Sequence, residues 1–147
     1  MYEQISAFFT IEMIYLWLSF GVIPFWFILI FFPQSKVCGL LATSIFPFLI
    51  LGSVYIYLIY YFFNTDYDFF ESFELYLGIY NLANLFENEA FLILIWTHFL
   101  AINLFCAAWI VRDSQKYFMP KYLNIMPLII TYFIGPVGIV IYWIIRI

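Results

Sequence analysis

Four runs of uncharged residues constrain this chain more than any other feature. They lie between Glu12 and Lys36, Lys36 and Asp66, Glu89 and Arg112, and Lys121 and Arg146, and hold 23, 29, 22 and 24 residues. A helix rising about 1.5 Å per residue needs roughly 20 residues to cross a hydrocarbon core about 30 Å thick. Each run is long enough. Only 10% of the 147 residues are charged and 67% are hydrophobic, which leaves too little polar surface to cover a water-facing globule. The sequence therefore reads as an all-α integral membrane protein with the lipid bilayer as its solvent. A single domain, residues 1–147, is expected, with four transmembrane helices near 7–32, 37–63, 91–111 and 122–145.

The first run is expected to remain in the mature chain. It is longer than a signal-peptide core, starts after Glu3 rather than a basic stretch, and lacks a small-residue cleavage site. Orientation follows from the cations. The first and third connections hold Lys36, Arg112, Lys116 and Lys121, and Arg146 stands alone beyond the fourth run. The positive-inside rule then puts those two connections on the cytoplasmic or stroma-like side. Both termini and the acidic connection 64–90 fall on the opposite side, in a bacterial inner or plastid-type membrane.

That second connection carries a pattern of its own. Phe70, Phe73, Leu77 and Tyr80 recur every three or four residues, with Glu71, Glu74, Gly78 and Asn81 between them. The spacing predicts an amphipathic helix lying along the interface, as a cap over the bundle or a lid over a substrate. Pro24 predicts a kink in the first helix, Pro47 falls within the second, and the Gly135-Pro136-Val137-Gly138 run predicts a break in the fourth. Cys38 and Cys106 lie on different helices without metal-ligand spacing and read as small packing residues, so no metal site is expected.

Polar groups at depth are costly and call for a reason. The third helix, "LIWTHFLAINLFCAAWIVRDSQ", carries the only histidine, His98, and Asn103. Counted inward from the helix ends, Glu12, His98 and the Gly135-Pro136 break share one layer, and Ser19, Asn103 and Thr131 a deeper one. His98 and Asn103 are five residues apart, about 140° around a helix, and so face different neighbours. A Glu12–His98 pair across two helices would fix the imidazole tautomer. Asp113 lies three residues before Lys116 and reads as half of a solvated charge pair at the helix end.

Three segments carry a resemblance: "GVIPFWFILIFFPQSK", "WTHFLAINLFCAAWIVRDS" and "MPLIITYFIGPVGIVIYWIIR". Together they resemble the abscisic-acid-deficient-four-like membrane proteins, whose plant plastid members are needed to make the carotenoid neoxanthin. Trp96, His98, Leu100, Ala101, Leu104, Phe105, Trp109 and Asp113 match the family's third-helix pattern. Asn103 stands where the family usually has Asp, and Ala107-Ala108 where it has Gly and often a charged residue.

The resemblance implies a protein that acts on or binds carotenoids. Converting a carotenoid epoxide to an allenic alcohol is a cofactor-independent isomerisation. An acid protonates the epoxide oxygen while a base removes a proton from the adjoining polyene carbon. The expected catalytic set is His98 as acid and Glu12 as base, with Asn103 at the position of the family's Asp. Trp96, Trp109, Gly135, Pro136 and Thr131 are the expected ligand-binding residues. The other reading is a non-enzymatic pigment-binding or structural subunit of a larger membrane assembly, partnered by other subunits or by copies of itself.

Several classes are excluded on residue types. One histidine cannot hold the iron pair of a carotenoid hydroxylase or desaturase. Every lysine lies in a connection, so none can carry a retinal Schiff base. No phosphate-binding glycine loop occurs, and a net charge of −4 argues against nucleic acid.

Overall fold

A computed structural model describes residues 9–65 and 67–147. The order is α1 (Ile11–Gly21), α2 (Ile23–Phe31), a π-helical turn (Cys38–Ala42), α3 (Phe46–Phe63), a 3-10 turn (Glu71–Tyr76), α4 (Ile79–Glu87), α5 (Glu89–Lys116) and α6 (Lys121–Arg146). Among the described residues there is no strand. Four segments are long and apolar enough to cross a membrane: Ile11–Phe31, Cys38–Phe63, Glu89–Lys116 and Lys121–Arg146. They match the four runs read from the charges, although the start of the first, placed near residue 7, lies outside the described residues.

The third segment, α5, is the most buried of the four and forms the axis of the bundle. Its start is set by Asn88, whose side chain accepts hydrogen bonds from the Ala90 and Phe91 amides, which satisfies donors that a helix N-terminus leaves free. Leu104, Ala107, Ile110 and Val111 of α5 have no more than trace exposure. They pack with Leu18 and Leu29 of the first segment, Leu51 and Leu58 of α3, and Leu128 and Tyr142 of α6 in one cluster.

Two prolines stand at helix starts within the first two segments. Pro24 stands in the first turn of α2, after Val22 interrupts the first segment, and Pro47 stands in the first turn of α3. Both positions tolerate proline because the missing N–H has no partner in a first helical turn. A new helix starts at each of these positions within its segment.

The fourth segment departs furthest from a rod. Ile134 leaves the helical region (φ −139, ψ 52), immediately before Gly135-Pro136. A straight helix from Lys121 to Arg146 would put its ends almost 40 Å apart at about 1.5 Å per residue. Yet Arg146 lies 4.7 Å from the Tyr117 ring and 2.6 Å from Asp113, and Tyr117 is only four residues before Lys121. The segment is a helical hairpin with both ends at one end of the bundle. Its arms, 121–133 and 135–146, are each about 18–20 Å long, short of a 30 Å core.

Small residues make the fold-back possible. A Cβ on Gly138 would lie 1.9 Å from Thr131 Oγ1 and 2.6 Å from the Pro127 carbonyl oxygen, on the other arm. A Cβ on Gly135 would lie 2.3 Å from Asn103 Oδ1. The hairpin corrects the expectation that the C-terminal residues lie opposite the third connection. Arg146 stands beside it.

The second connection also differs from its reading as one amphipathic helix. Gly78, at φ +144, separates the 3-10 turn from α4. Phe70, Phe73, Leu77 and Tyr80 are all strongly exposed, so they do not cap this bundle. Leu85 is the only buried residue of α4.

Candidate functional site

An apolar concavity runs between the first two membrane segments. It is a groove of about 630 Å³, with Val22, Pro24 and Pro47 among its lining residues. Its floor is Leu18, Val22, Leu51 and Leu104, the last contributed by α5. Aromatic groups stand at both ends. Phe9 packs 5.7 Å from Trp17 and 5.8 Å from Tyr57 at one, and Phe25 lies 6.3 Å from Phe46 at the other. Ser53 on the wall has its hydroxyl engaged with the Leu49 carbonyl at 2.7 Å. Gly21 lines the groove, and a Cβ there would meet nothing within 4 Å.

The residues singled out from the sequence fall around this groove rather than in it. His98 is exposed and opens into a smaller cavity of about 330 Å³ between α5 and α3, with Gly52, Tyr55 and Ile56. Leu51 lines both the groove and the His98 cavity. Glu12 lies elsewhere, in a groove of about 500 Å³ between α1 and α5 that also contains Glu89 and Trp96. Two residues along a helix turn the side chain through about 200°, so Trp96 and His98 point to opposite sides of α5. Glu12 shares the Trp96 side and does not meet His98.

Trp96 donates its indole N–H to Ser19 Oγ at 3.0 Å. Sequence depth placed Ser19 in the Asn103 layer; this bond places it with Trp96, nearly two turns away. Asn103 is buried, and its Nδ2 donates to the Tyr132 carbonyl at 3.2 Å. That carbonyl belongs to the last turn before the Ile134 break, where the helical ladder is interrupted and an acceptor is free. Gly135 packs on the same Asn103 side chain. The Gly135-Pro136 break therefore shares the level of Asn103 and not that of His98, because the hairpin enters from the other end.

Thr131 is buried, donates to the Pro127 carbonyl at 2.7 Å and packs against Gly138. Pro136 is exposed at the hairpin tip. Trp109 lines a cavity at the basic end and meets Tyr142 edge-on at 5.9 Å. None of Trp96, Trp109, Thr131, Gly135 and Pro136 lines the apolar groove. Asp113 receives hydrogen bonds from the Tyr142 hydroxyl (2.8 Å) and the Arg146 guanidinium (2.6 Å). Its ion pair is thus with Arg146, rather than with Lys116 as the spacing suggested. Cys38 and Cys106 are both buried free thiols, as read. Among the described residues no cluster of three metal-ligating side chains occurs.

The groove residues Trp17, Phe25, Val54 and Tyr57 were missed in the sequence. The two prolines gave a signal, since each interrupts a helical ladder, but nothing local showed that both line one groove.

The profile of the ABA DEFICIENT 4-like family matches residues 13–142, nearly the whole chain. The chain is also 27% identical over 105 residues to Protein ABA DEFICIENT 4, chloroplastic, of Arabidopsis thaliana. That match covers 65% of this chain and 44% of the relative. No solved structure matches it. With its four apolar helical segments and a family match across nearly all of them, this chain belongs to the ABA DEFICIENT 4-like family.

Proposed function

We propose that this membrane protein binds a carotenoid-type polyene in the groove between its first two membrane segments. The observation that carries the reading is the groove itself: elongated along two helices, almost wholly apolar, and flanked by aromatic pairs at both ends. A rigid conjugated chain loses little conformational freedom on entering such a slot, and apolar burial drives it in. Membership of a family with a plant neoxanthin-synthesis branch supports this ligand class. No redox cofactor is called for.

Conversion of a bound epoxide is a second reading, favoured by one observation. The cavity that holds His98, the only imidazole in the chain, shares Leu51 with the groove. Glu12 does not share that cavity, and the base of such a reaction is left to water or to the Tyr55 hydroxyl.

The sidedness proposed from the charges is strengthened by the hairpin. All five Lys and Arg residues belong to one end of the bundle, because Arg146 returns to it, and we assign that end to the cytoplasmic or stroma-like face. Purification from a carotenoid-producing host in mild detergent tests the binding reading. Visible polyene bands with an induced circular-dichroism signal are expected, and a colourless protein from a pigmented membrane would contradict it. Incubation with an epoxy-carotenoid tests the second reading: His98→Ala should abolish conversion while pigment stays bound.

A further inference from the structure

A concavity larger than the polyene groove, and independent of it, lies at the opposite end from the acidic connection. It has a volume of about 950 Å³ and lies between the start of α3 and the C-terminal half of α5. Its walls are graded. Phe48 and Phe105, 6.1 Å apart and edge to face, form an apolar roof with Ala108, and Trp109 stands below them. One and two turns further along α5 come Arg112 and Lys116, in the same wall as Thr43 and Ser44.

The charge in this cavity is not balanced from within. The single carboxylate in its wall, Asp113, is already held by Arg146 and Tyr142. The Arg146–Asp113 pair is the only ion pair among the described residues, so neither Arg112 nor Lys116 has a carboxylate within 4 Å there. Two cations one helical turn apart, beneath an aromatic roof, make a site that is apolar above and cationic below. A phosphate between a guanidinium and an ammonium gains charge-assisted hydrogen bonds, while an attached hydrocarbon chain buries against Phe48 and Phe105.

We propose that this cavity binds an anionic amphiphile: a phosphate-bearing headgroup between Arg112 and Lys116, with the first part of its chain under Phe48, Phe105 and Trp109. The hairpin supports the site by neutralising Asp113, which would otherwise repel the phosphate. A phosphodiester lipid and free inorganic phosphate share the recognised chemistry, and only the lipid uses the roof.

Native mass spectrometry of the full chain in neutral detergent tests this, with phosphatidylglycerol, phosphatidylcholine and inorganic phosphate added separately. Phosphatidylglycerol should be retained about tenfold or more over phosphatidylcholine, given two cations at the headgroup. The Arg112→Gln/Lys116→Gln variant should lose that preference. Lys36→Gln/Lys121→Gln, which removes the same charge from the same end, should keep it. Quenching by brominated-chain phosphatidylglycerol, taken as wild type minus Trp109→Phe, should localise the chain to Trp109 in the folded protein. Equal retention of both lipids, equal loss in the two double variants, displacement of the lipid by equimolar inorganic phosphate, or no quenching at Trp109 would each overturn the proposal.

Discussion

Asn103 shows how one side chain takes its meaning from a distant break. Its amide donates to the Tyr132 carbonyl left open ahead of Ile134. A carboxylate cannot donate that bond. Asn103→Asp and Asn103→Leu should each lower stability by about 1–3 kcal/mol, the cost of leaving a buried polar group unpaired, read as a lower Tm. The glycines make a graded set. Gly138→Ala drives a methyl into backbone on the other arm and should cost about 1–3 kcal/mol as overpacking. Gly135→Ala meets the Asn103 side chain, which has more room to move, and should cost less. Gly52→Ala meets nothing within 4 Å and should be neutral or slightly stabilising, as expected for alanine inside a helix. A Tm series in one detergent checks the order.

At the scale of elements, length and hydropathy predicted the four apolar segments, because burying a helix in lipid needs only a long enough run without charge. The hairpin was not legible. A broken apolar run of this length reads the same whether its second arm continues or returns, and the contacts that decide it join Arg146 to Asp113 and Tyr117. The misassigned partner of Asp113 and the misplaced level of Gly135 both follow from that single ambiguity. The hairpin is testable by cysteine labelling. With Cys38 and Cys106 replaced, Ile147→Cys and Phe118→Cys, both highly exposed, should react with an impermeant reagent from the same face, and Tyr80→Cys from the other. A label on position 147 from the face that labels position 80 would mean a segment running straight through. Asp113→Ala, which removes the acceptor shared by Tyr142 and Arg146, should speed hydrogen exchange along 135–146 and leave 91–100 unchanged.

The whole molecule has a polarity that no single element carries. Its cations gather at one end, while Glu12, Asp68, Glu71, Glu74, Glu87 and Glu89 belong to the other. The candidate groove runs along the first two segments between these ends, and the third segment supplies its floor through Leu104. Sequence reading placed the functional centre on the third helix, where the polar residues are. The proposed groove lies beside it, and the polar side chains Trp96, Asn103 and Asp113 tie helices together. Apolar groove residues resemble lipid-facing ones in any single sequence, which is why they passed unnoticed. Gly21 gives the groove its most direct test, because the wall there is open and a larger side chain can enter without striking protein. The measurement is polyene binding to the purified protein, followed by tryptophan quenching and induced circular dichroism, in wild type and Gly21→Phe. Binding in wild type, weakened about tenfold or more in Gly21→Phe at unchanged Tm, is the expected result, since blocking burial of even a few methylene-sized groups removes over 1.4 kcal/mol. Equal binding by the two proteins would place the polyene somewhere other than this groove.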